Sequence, residues 1–318
     1  YFALVFTSAS IGGPVIGGLV VSHTSWRWLF LANLPFALFA AWRLTRLPAG
    51  ERHPARGGRD LPGQLLFALS TVSTLFWLTQ VGHRFAWLSP ESIGLAAAAA
   101  MSIGALVWHE SRHPSPFMPV DLMRVRTIAL STVLTALFAA SLFSLIFFLP
   151  IYLQLGHSVS AQTAGLLLLP VTLGMVSAAM LGSRLIARTG DPHWIPVGGM
   201  SLAATGLLLL GLLPDERGLV IGLGFVTGLG LGSVMPVNQV VVQTVAGRAR
   251  LGAATALMGL ARSTGGASGA ALFGAVVFAL IPHLDTVQAF HRAFLVAAGL
   301  AALGAFVATR VPRVRLWP

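Results

Sequence analysis

The chain has 318 residues, of which 56% are hydrophobic and only 9% are charged, and it contains no cysteine. Average soluble domains carry about 25% charged residues, so this chain has too little charge to cover the surface of a water-soluble domain. The absence of cysteine excludes disulfides and cysteine-ligated metals. The composition therefore predicts a protein whose solvent is lipid.

Ten apolar stretches are long enough for a helix of about 20 residues to cross the hydrocarbon layer. They lie near residues 2–22, 28–46, 63–82, 91–109, 127–152, 163–186, 194–213, 218–243, 251–281 and 287–309. Strands of a membrane barrel would be shorter and would alternate in polarity, so helices are favoured. We predict an all-α integral membrane protein, a polytopic helical bundle with about ten spans.

All twenty cationic residues are arginines, and they are divided unequally between the loops on the two sides of the predicted bundle. Fifteen fall on one side, four fall on the other, and Arg262 lies inside a span. The arginine-rich side holds Arg43, Arg46, Arg52, Arg56, Arg59, Arg112, Arg124, Arg126, Arg184, Arg188, Arg248, Arg250, Arg310, Arg313 and Arg315. The positive-inside rule makes this side cytoplasmic. The net charge of +11 thus reflects topology and contact with anionic lipid, and we expect no nucleic-acid partner.

Two polar linkers on the arginine-rich side divide the chain. Residues 47–62 are rich in arginine, glycine and proline, and residues 110–126 contain three prolines and end in a short amphipathic segment. Six spans follow the second linker, and six is a natural half of a transporter built from paired bundles. We predict two spans of an amino-terminal bundle at 1–46, an inserted pair at 63–109, a six-span carboxy-terminal bundle at 127–310 and a tail at 311–318.

The first apolar stretch contains the sequence GPVIGG at residues 13–18. Gly13, Gly17 and Gly18 allow a second helix backbone to approach closely, and Pro14 removes a backbone donor and kinks the helix. Such a helix is suited to sealing or hinging a contact between two bundles. Plain helix packing with no gating role is the alternative.

This pattern resembles the motif that marks exporters of the major facilitator superfamily. The sequence SWRWLFLANLP at residues 25–35 is similar to the junction typical of its fourteen-span drug:proton antiporter family. Further agreement lies at residues 148–170, 228–239 and 252–272. One departure is Ala9, which stands where the family motif begins with glycine.

The resemblance implies a major facilitator-type fold in which the ten visible spans are the fifth through fourteenth, with four spans absent. It also implies proton-coupled efflux of drugs or other small amphipathic compounds by alternating access. The implied partners are a small-molecule substrate, protons and membrane lipid, with the proton gradient in place of a cofactor. We expect a non-enzymatic monomer in a bacterial plasma membrane. A dedicated exporter of one endogenous metabolite (an antibiotic, a lipid or a siderophore) is the alternative.

Further gating or packing candidates follow from the resemblance and from position. The loop at 182–191 resembles a degenerate copy of the superfamily's gating motif, in which Arg188 and Gly190 match. Arg262 is the one ionisable residue clearly within a span, beside Gly265 and Gly266, and either anchors the structure or takes part in gating. No carboxylate lies at comparable depth, so the resemblance places the proton-coupling residue in the absent spans.

Polar side chains inside the spans are the candidates for lining a transport cavity. They are Gln64, Gln80, Gln154, Asn238, Gln239 and Gln243. Hydrogen bonds between neighbouring helices are the alternative for each of them.

A rival from another class rests on residues 109–113, His109-Glu110-Ser111-Arg112-His113, which match the HExxH pattern of zinc proteases. The pattern lies at the end of a span, and Pro114 and Pro116 follow it at once. No carboxylate within a span is available as a third ligand. We therefore expect no intramembrane metalloprotease, no catalytic residue and no bound metal.

Overall fold

The structure, a computed structural model, describes residues 13, 16–17, 19–20, 24–25, 27–46, 60–113, 119–214 and 216–315. Every regular element in these residues is a helix, apart from one isolated bridge between Val81 and Phe85. Most of the predicted first span at 2–22 and most of the linker at 47–62 lie outside the described residues.

The described residues form thirteen α-helices and one 3₁₀ turn at Arg248–Arg250. The helices are α1 (Arg27–Leu31), α2 (Asn33–Leu44), α3 (Leu61–Gln80), α4 (Pro90–Arg112), α5 (Val120–Met123), α6 (Arg126–His157), α7 (Ala161–Leu167), α8 (Leu169–Thr189), α9 (Trp194–Leu212), α10 (Arg217–Gly232), α11 (Val234–Ala246), α12 (Leu251–Leu280) and α13 (Thr286–Arg310). From Leu61 onward they supply eight segments long and apolar enough to cross a membrane. These eight coincide with the last eight predicted spans, which confirms the all-α polytopic bundle.

Three predicted spans are each divided into two helices by a single residue. The breaks fall at Ala32, Leu168 and Ser233, shortly before Pro35, Pro170 and Pro236. A proline lacks the amide hydrogen for the bond to the fourth preceding carbonyl, and its ring clashes with that carbonyl. The local chemistry of proline therefore explains why α1–α2, α7–α8 and α10–α11 are interrupted.

Helices α6 to α13 share one hydrophobic core. Its largest fully buried side chains toward the side opposite the arginines are Tyr152, Phe273, Phe290 and Phe294. The Phe273 and Phe294 rings meet edge to face at 5.3 Å, and Tyr152 meets Phe294 in the same way at 5.6 Å. These edge-to-face pairs hold α6, α12 and α13 together.

The ends of the helices meet in two groups that match the two sets of loops. On the arginine-rich side Asp60 contacts His109, and Asp121 contacts Arg250. On the opposite side His83 contacts Phe278, and Tyr152 contacts His291. A second core cluster around Leu122, Ile128 and Val242 seats α5 against the bundle on the arginine-rich side.

Helices α3 and α4 form a pair that touches the bundle through α12. Beyond α3, Gly82 has a φ of 80° and lies so close to the Ala275 carbonyl that a Cβ would collide with it. Only glycine meets both demands without strain. The pair is therefore anchored to the six-span bundle near the side opposite the arginines.

Candidate functional site

A cleft opens between the α3–α4 pair and α12, about midway along these helices. It is lined by Phe67, Ser70, Thr71, Thr74, Leu75, Ile103, Thr264 and Ser268. Its volume is about 210 Å³. None of these lining residues is ionisable, so the cleft offers hydroxyl groups set in apolar walls.

The hydroxyl groups of the cleft are mostly occupied as donors. Ser70 donates to the Phe67 carbonyl at 2.9 Å, Thr74 donates to the Ser70 carbonyl at 2.7 Å, and Thr264 donates to the Leu260 carbonyl at 2.9 Å. Such bonds within a helix leave the oxygen lone pairs as acceptors. The cleft can therefore accept hydrogen bonds from an amphipathic molecule while its apolar walls contact the rest.

The near wall of the cleft is held by two polar bonds between α3 and α4. The Ser73 and Ser102 hydroxyls lie 2.9 Å apart, and the Trp77 indole donates to the Ser92 hydroxyl at 3.1 Å. Hydrogen bonds between helices add to packing as the forces that associate helices in lipid. They fix the rotation of α3, and with it the face that carries Ser70 and Thr74.

The far wall is held by a seam of small residues between α6 and α12. Gly265 lies against the backbone of Ala136, Gly269 lies against Ala140, and the Phe143 ring covers Gly266. Ser144 adds a hydrogen bond to the Gly269 carbonyl at 3.0 Å. Gly265 and Gly266 thus lie in a close helix contact, and a gating role for them stays a prediction.

The six predicted cavity-lining residues do not line this cleft. Asn238 is 3% exposed, and its amide donates to the Ser131 carbonyl at 2.8 Å and to the Thr135 hydroxyl at 2.7 Å. It also borders a cavity of about 20 Å³, which is room for a single water. The alternative of a bond between helices describes Asn238, which joins α11 to α6.

The other five polar candidates are scattered. Gln154 donates to the carbonyl of Pro150 on its own helix, and Gln243 donates to Thr255. Gln64 is exposed, whereas Gln80 and Gln239 are half-buried. The sequence-based prediction chose amide side chains, whereas the polar residues that line the cleft are serines and threonines. The sequence signal for the cleft hydroxyls is the four-residue spacing of Ser70 with Thr74 and of Thr264 with Ser268. This spacing puts each pair on one helix face.

The charged and glycine candidates lie apart from one another. Arg262 is exposed on α12, and its guanidinium makes no hydrogen bond or ion pair with any described residue. Arg188 is exposed in the last turn of α8, and Gly190 ends that helix with a φ of 65° and a bond from its amide to the Ile186 carbonyl at 2.8 Å. The loop is therefore a glycine-terminated helix end.

The GPVIGG segment is described only in part. Gly13 and Gly17 are helical, and within the described residues nothing lies within 4 Å of a Cβ built on either of them. Pro14 and Gly18 lie outside the described residues. The hinge or seal predicted for this segment stays a prediction.

The predicted absence of a third ligand concerned only carboxylates within spans, and Asp60 lies outside them. Asp60, which precedes α3, lies beside both His109 and His113 at the end of α4, so a carboxylate from the linker joins the two histidines. Asp60 is 49 residues away from His109 along the chain, which is why the local motif did not reveal it.

Comparison with known proteins identifies the family. The chain matches the Major Facilitator Superfamily over residues 1–270 and again over residues 131–317. It is 30% identical over 304 residues to the multidrug transporter protein MdtP of Bacillus subtilis, which covers 92% of this chain and 56% of that protein.

Two relatives from Streptomyces are named for single compounds. The lincomycin resistance protein of Streptomyces lincolnensis is 30% identical over 305 residues, covering 94% of this chain and 62% of that protein. The tetracenomycin C resistance and export protein of Streptomyces glaucescens is 32% identical over 276 residues, covering 86% and 51%. The chain thus spans between half and two thirds of the length of these relatives. Because the two superfamily matches together run from residue 1 to residue 317, this multi-pass plasma-membrane protein belongs to the Major Facilitator Superfamily.

Proposed function

We propose that this chain forms part of a proton-driven exporter of drugs or other small amphipathic compounds, which works by alternating access. The observation that carries the proposal is the uncharged, hydroxyl-lined cleft between the α3–α4 pair and α12. Its walls offer apolar surface and a few acceptors rather than a fixed charge. A surface of that kind selects for amphipathic character more than for one molecular shape.

The packing of the six-span bundle supports a rocking motion. The α6–α12 seam is matched by a second seam, in which Gly174 and Gly228 bring α8 and α10 into backbone contact. Helices packed this closely have little freedom to slide separately. The bundle is therefore suited to move as one body, which alternating access by rigid-body rocking requires.

The position of the cleft couples it to such a motion. One wall belongs to the bundle through Thr264 and Ser268, and the other belongs to the α3–α4 pair. A rotation of one body against the other would change the width of the cleft. Substrate bound there would then favour one arrangement over the other by its difference in affinity.

The proton-coupling residue is proposed to lie outside the described residues. The described carboxylates lie in loops or near helix ends: Asp60, Glu91, Glu110, Asp121, Asp191, Glu216 and Asp285. Proton coupling within a membrane usually needs a buried carboxylate whose proton affinity responds to its surroundings. In line with the motif resemblance, we assign the visible spans to the last ten of a fourteen-span antiporter and the coupling carboxylate to an earlier span.

A dedicated exporter of one metabolite is the second candidate. Two of the relatives are named for a single compound, lincomycin and tetracenomycin C. The same cleft would serve either function, because both need acceptors in an apolar wall. A broad export profile favours the first candidate, and export of a single compound favours the second.

The test is an accumulation assay with the full-length transporter in a host that lacks its own efflux pumps. We expect several-fold lower accumulation of amphipathic dyes and antibiotics than in the empty host, and recovery when an uncoupler collapses the proton gradient. Ser268→Leu fills the cleft and is expected to abolish most of the difference. Thr205→Leu, on an exposed face of α9, is the matched control and should export normally. Unchanged accumulation over the whole panel would contradict the proposal.

A further inference from the structure

Three ligand-bearing side chains from distant parts of the sequence meet on the arginine-rich side of the α3–α4 pair. Asp60 caps the start of α3, where its Oδ1 accepts a hydrogen bond from the Gly63 amide at 2.8 Å. His109 lies in the last turn of α4, and His113 caps its end. The four-residue spacing puts both imidazoles on one side of the helix, where their rings stack at 5.1 Å.

The distances in this cluster suit a small metal ion. The Nε2 atom of His109 lies 2.8 Å from Oδ1 of Asp60, and the Nδ1 atom of His113 lies 3.8 Å from Oδ2. One potential ligand atom from each residue lies within 4.8 Å of the other two. Tetrahedral zinc with bonds of about 2.1 Å holds its ligands about 3.4 Å apart. The observed separations bracket that value, so small side-chain rotations would bring all three atoms onto one ion.

The charge around the cluster also favours a cation. The Asp60 side chain is 1% exposed, and the neighbouring Glu110 is 4% exposed. Both carboxylates approach the same glycine, Gly63, at whose position a Cβ would collide with Asp60 and lie 2.8 Å from Oε1 of Glu110. Two buried carboxylates in one place gain stability from a positive charge between or beside them.

The cluster is open to entry from one side. The side chains of His109 and His113 are 18% and 29% exposed, whereas that of Asp60 is enclosed. An ion can therefore reach the imidazoles from solvent and then contact the buried carboxylate. A bound water would supply the fourth position of a tetrahedral site.

We propose that Asp60, His109 and His113 form a binding site for one divalent transition metal ion, of which Zn²⁺ fits the ligand set best. Two imidazoles and one carboxylate are ligands that zinc commonly takes, whereas calcium and magnesium prefer oxygen ligands alone. The ion would join the start of α3 to the end of α4 and so clip the two polar linkers together. The expectation of no metal considered only carboxylates within spans, whereas Asp60 lies in the linker before α3. The bound ion would have a structural role, because its ligands lie at the start of α3 and at the end of α4.

The test measures zinc binding to the purified full-length transporter, produced with a tag that contains no histidine and stripped with a chelator. We expect about one high-affinity zinc per chain by calorimetry and elemental analysis, and a zinc-dependent rise in melting temperature. His109→Ala and His113→Ala should each weaken binding by about 100-fold or more, beyond the loss typical of an outer-shell change. Asp60→Asn keeps an oxygen for the helix cap but should likewise lose the high-affinity site.

His283→Ala is the matched control, because His283 is exposed on the opposite side of the bundle, and it should bind zinc as the unaltered protein does. Gel filtration of each variant without zinc separates loss of the site from loss of folding. The proposal is overturned if the unaltered transporter binds no more zinc than the His109→Ala/His113→Ala double variant. It is also overturned if zinc raises the melting temperature of both proteins equally. Neither readout depends on transport activity.

Discussion

The helices of the six-span bundle bury a larger fraction of their residues against one another than the helices of the α3–α4 pair do. In the apolar 18-residue stretch of α6, 61% of the residues are buried, against 17% in the corresponding stretch of α3 and 22% in that of α4. Helices α4 and α12 have the same mean hydropathy, yet α12 is buried to 39%. Lipid is as apolar as leucine, so hydrophobicity does not draw helices together there. The bundle contains a cluster of buried aromatic rings and two glycine seams, whereas two polar bonds join α3 to α4.

The largest effect is expected in the aromatic core of the bundle. Phe273→Ala removes a ring that is 1% exposed and contacts Phe294, and it should lower the free energy of unfolding by about 3 kcal/mol, because the cavity left behind forfeits the ring's packing contacts. Phe147→Ala is the control, because Phe147 is 51% exposed on α6. Equilibrium unfolding of the purified transporter in detergent measures both. Similar losses for the two variants would mean that the bundle has no specific core.

A somewhat smaller effect is expected in the α6–α12 seam. Gly265→Ala drives a methyl group into the backbone of Ala136 and should cost about 1–3 kcal/mol of unfolding free energy, as overpacking does. Gly259→Ala lies on the same helix with nothing within 4 Å of the added Cβ. It should be neutral or slightly stabilising, because alanine is the better helix former. Equal melting temperatures for Gly265→Ala and Gly259→Ala would contradict a tight contact between α6 and α12.

Removing the buried amide of Asn238 should lower the free energy of unfolding less than Gly265→Ala does. Asn238→Ala removes two hydrogen bonds to α6, and interhelical bonds in membranes are worth about 0.6 kcal/mol on average and up to about 1.7 kcal/mol. Gln239→Ala, at the adjacent half-buried position, serves as the control and should change stability less. A larger loss for Gln239→Ala would contradict the assignment of Asn238 as the residue that joins α11 to α6.

The smallest effect is expected in the α3–α4 pair. Ser102→Ala removes one hydroxyl bond to Ser73 and should cost about 0.6 kcal/mol or less. Among the described residues, the Ser111 hydroxyl bonds only to its own helix, at the Trp108 carbonyl, so Ser111→Ala should cost nothing measurable. A melting-temperature loss for Ser102→Ala as large as that for Gly265→Ala would erase the distinction between the two regions.

Length and hydropathy were sufficient to predict the eight described spans from Leu61 onward, because a bilayer imposes its thickness on any helix that crosses it. The three helix breaks were readable in principle, since each precedes a proline by two or three residues. The α3–α12 cleft was not predictable, because the rotation of each helix depends on partners elsewhere in the chain. Thr264 and Ser268 look like ordinary hydroxyls of an apolar span until α3 is placed opposite them.

The cluster of Asp60, His109 and His113 was likewise only partly predictable from the sequence. The two histidines are spaced for one helix face, and that much is visible in the sequence. Asp60 joins them only because α3 and α4 run antiparallel and bring the two linkers together. Local patterns reveal ligands on one element, whereas a ligand from a second element requires the fold.

The most direct test of proton-driven export uses the purified full-length transporter in liposomes with an imposed pH gradient. With an acidic interior, a fluorescent amphipathic dye should accumulate inside above its level in empty liposomes, in exchange for protons. The accumulation should vanish when an uncoupler is added and should fall several-fold in Ser268→Leu. Dye levels that are equal with and without the protein, or unaffected by the pH gradient, would contradict the account.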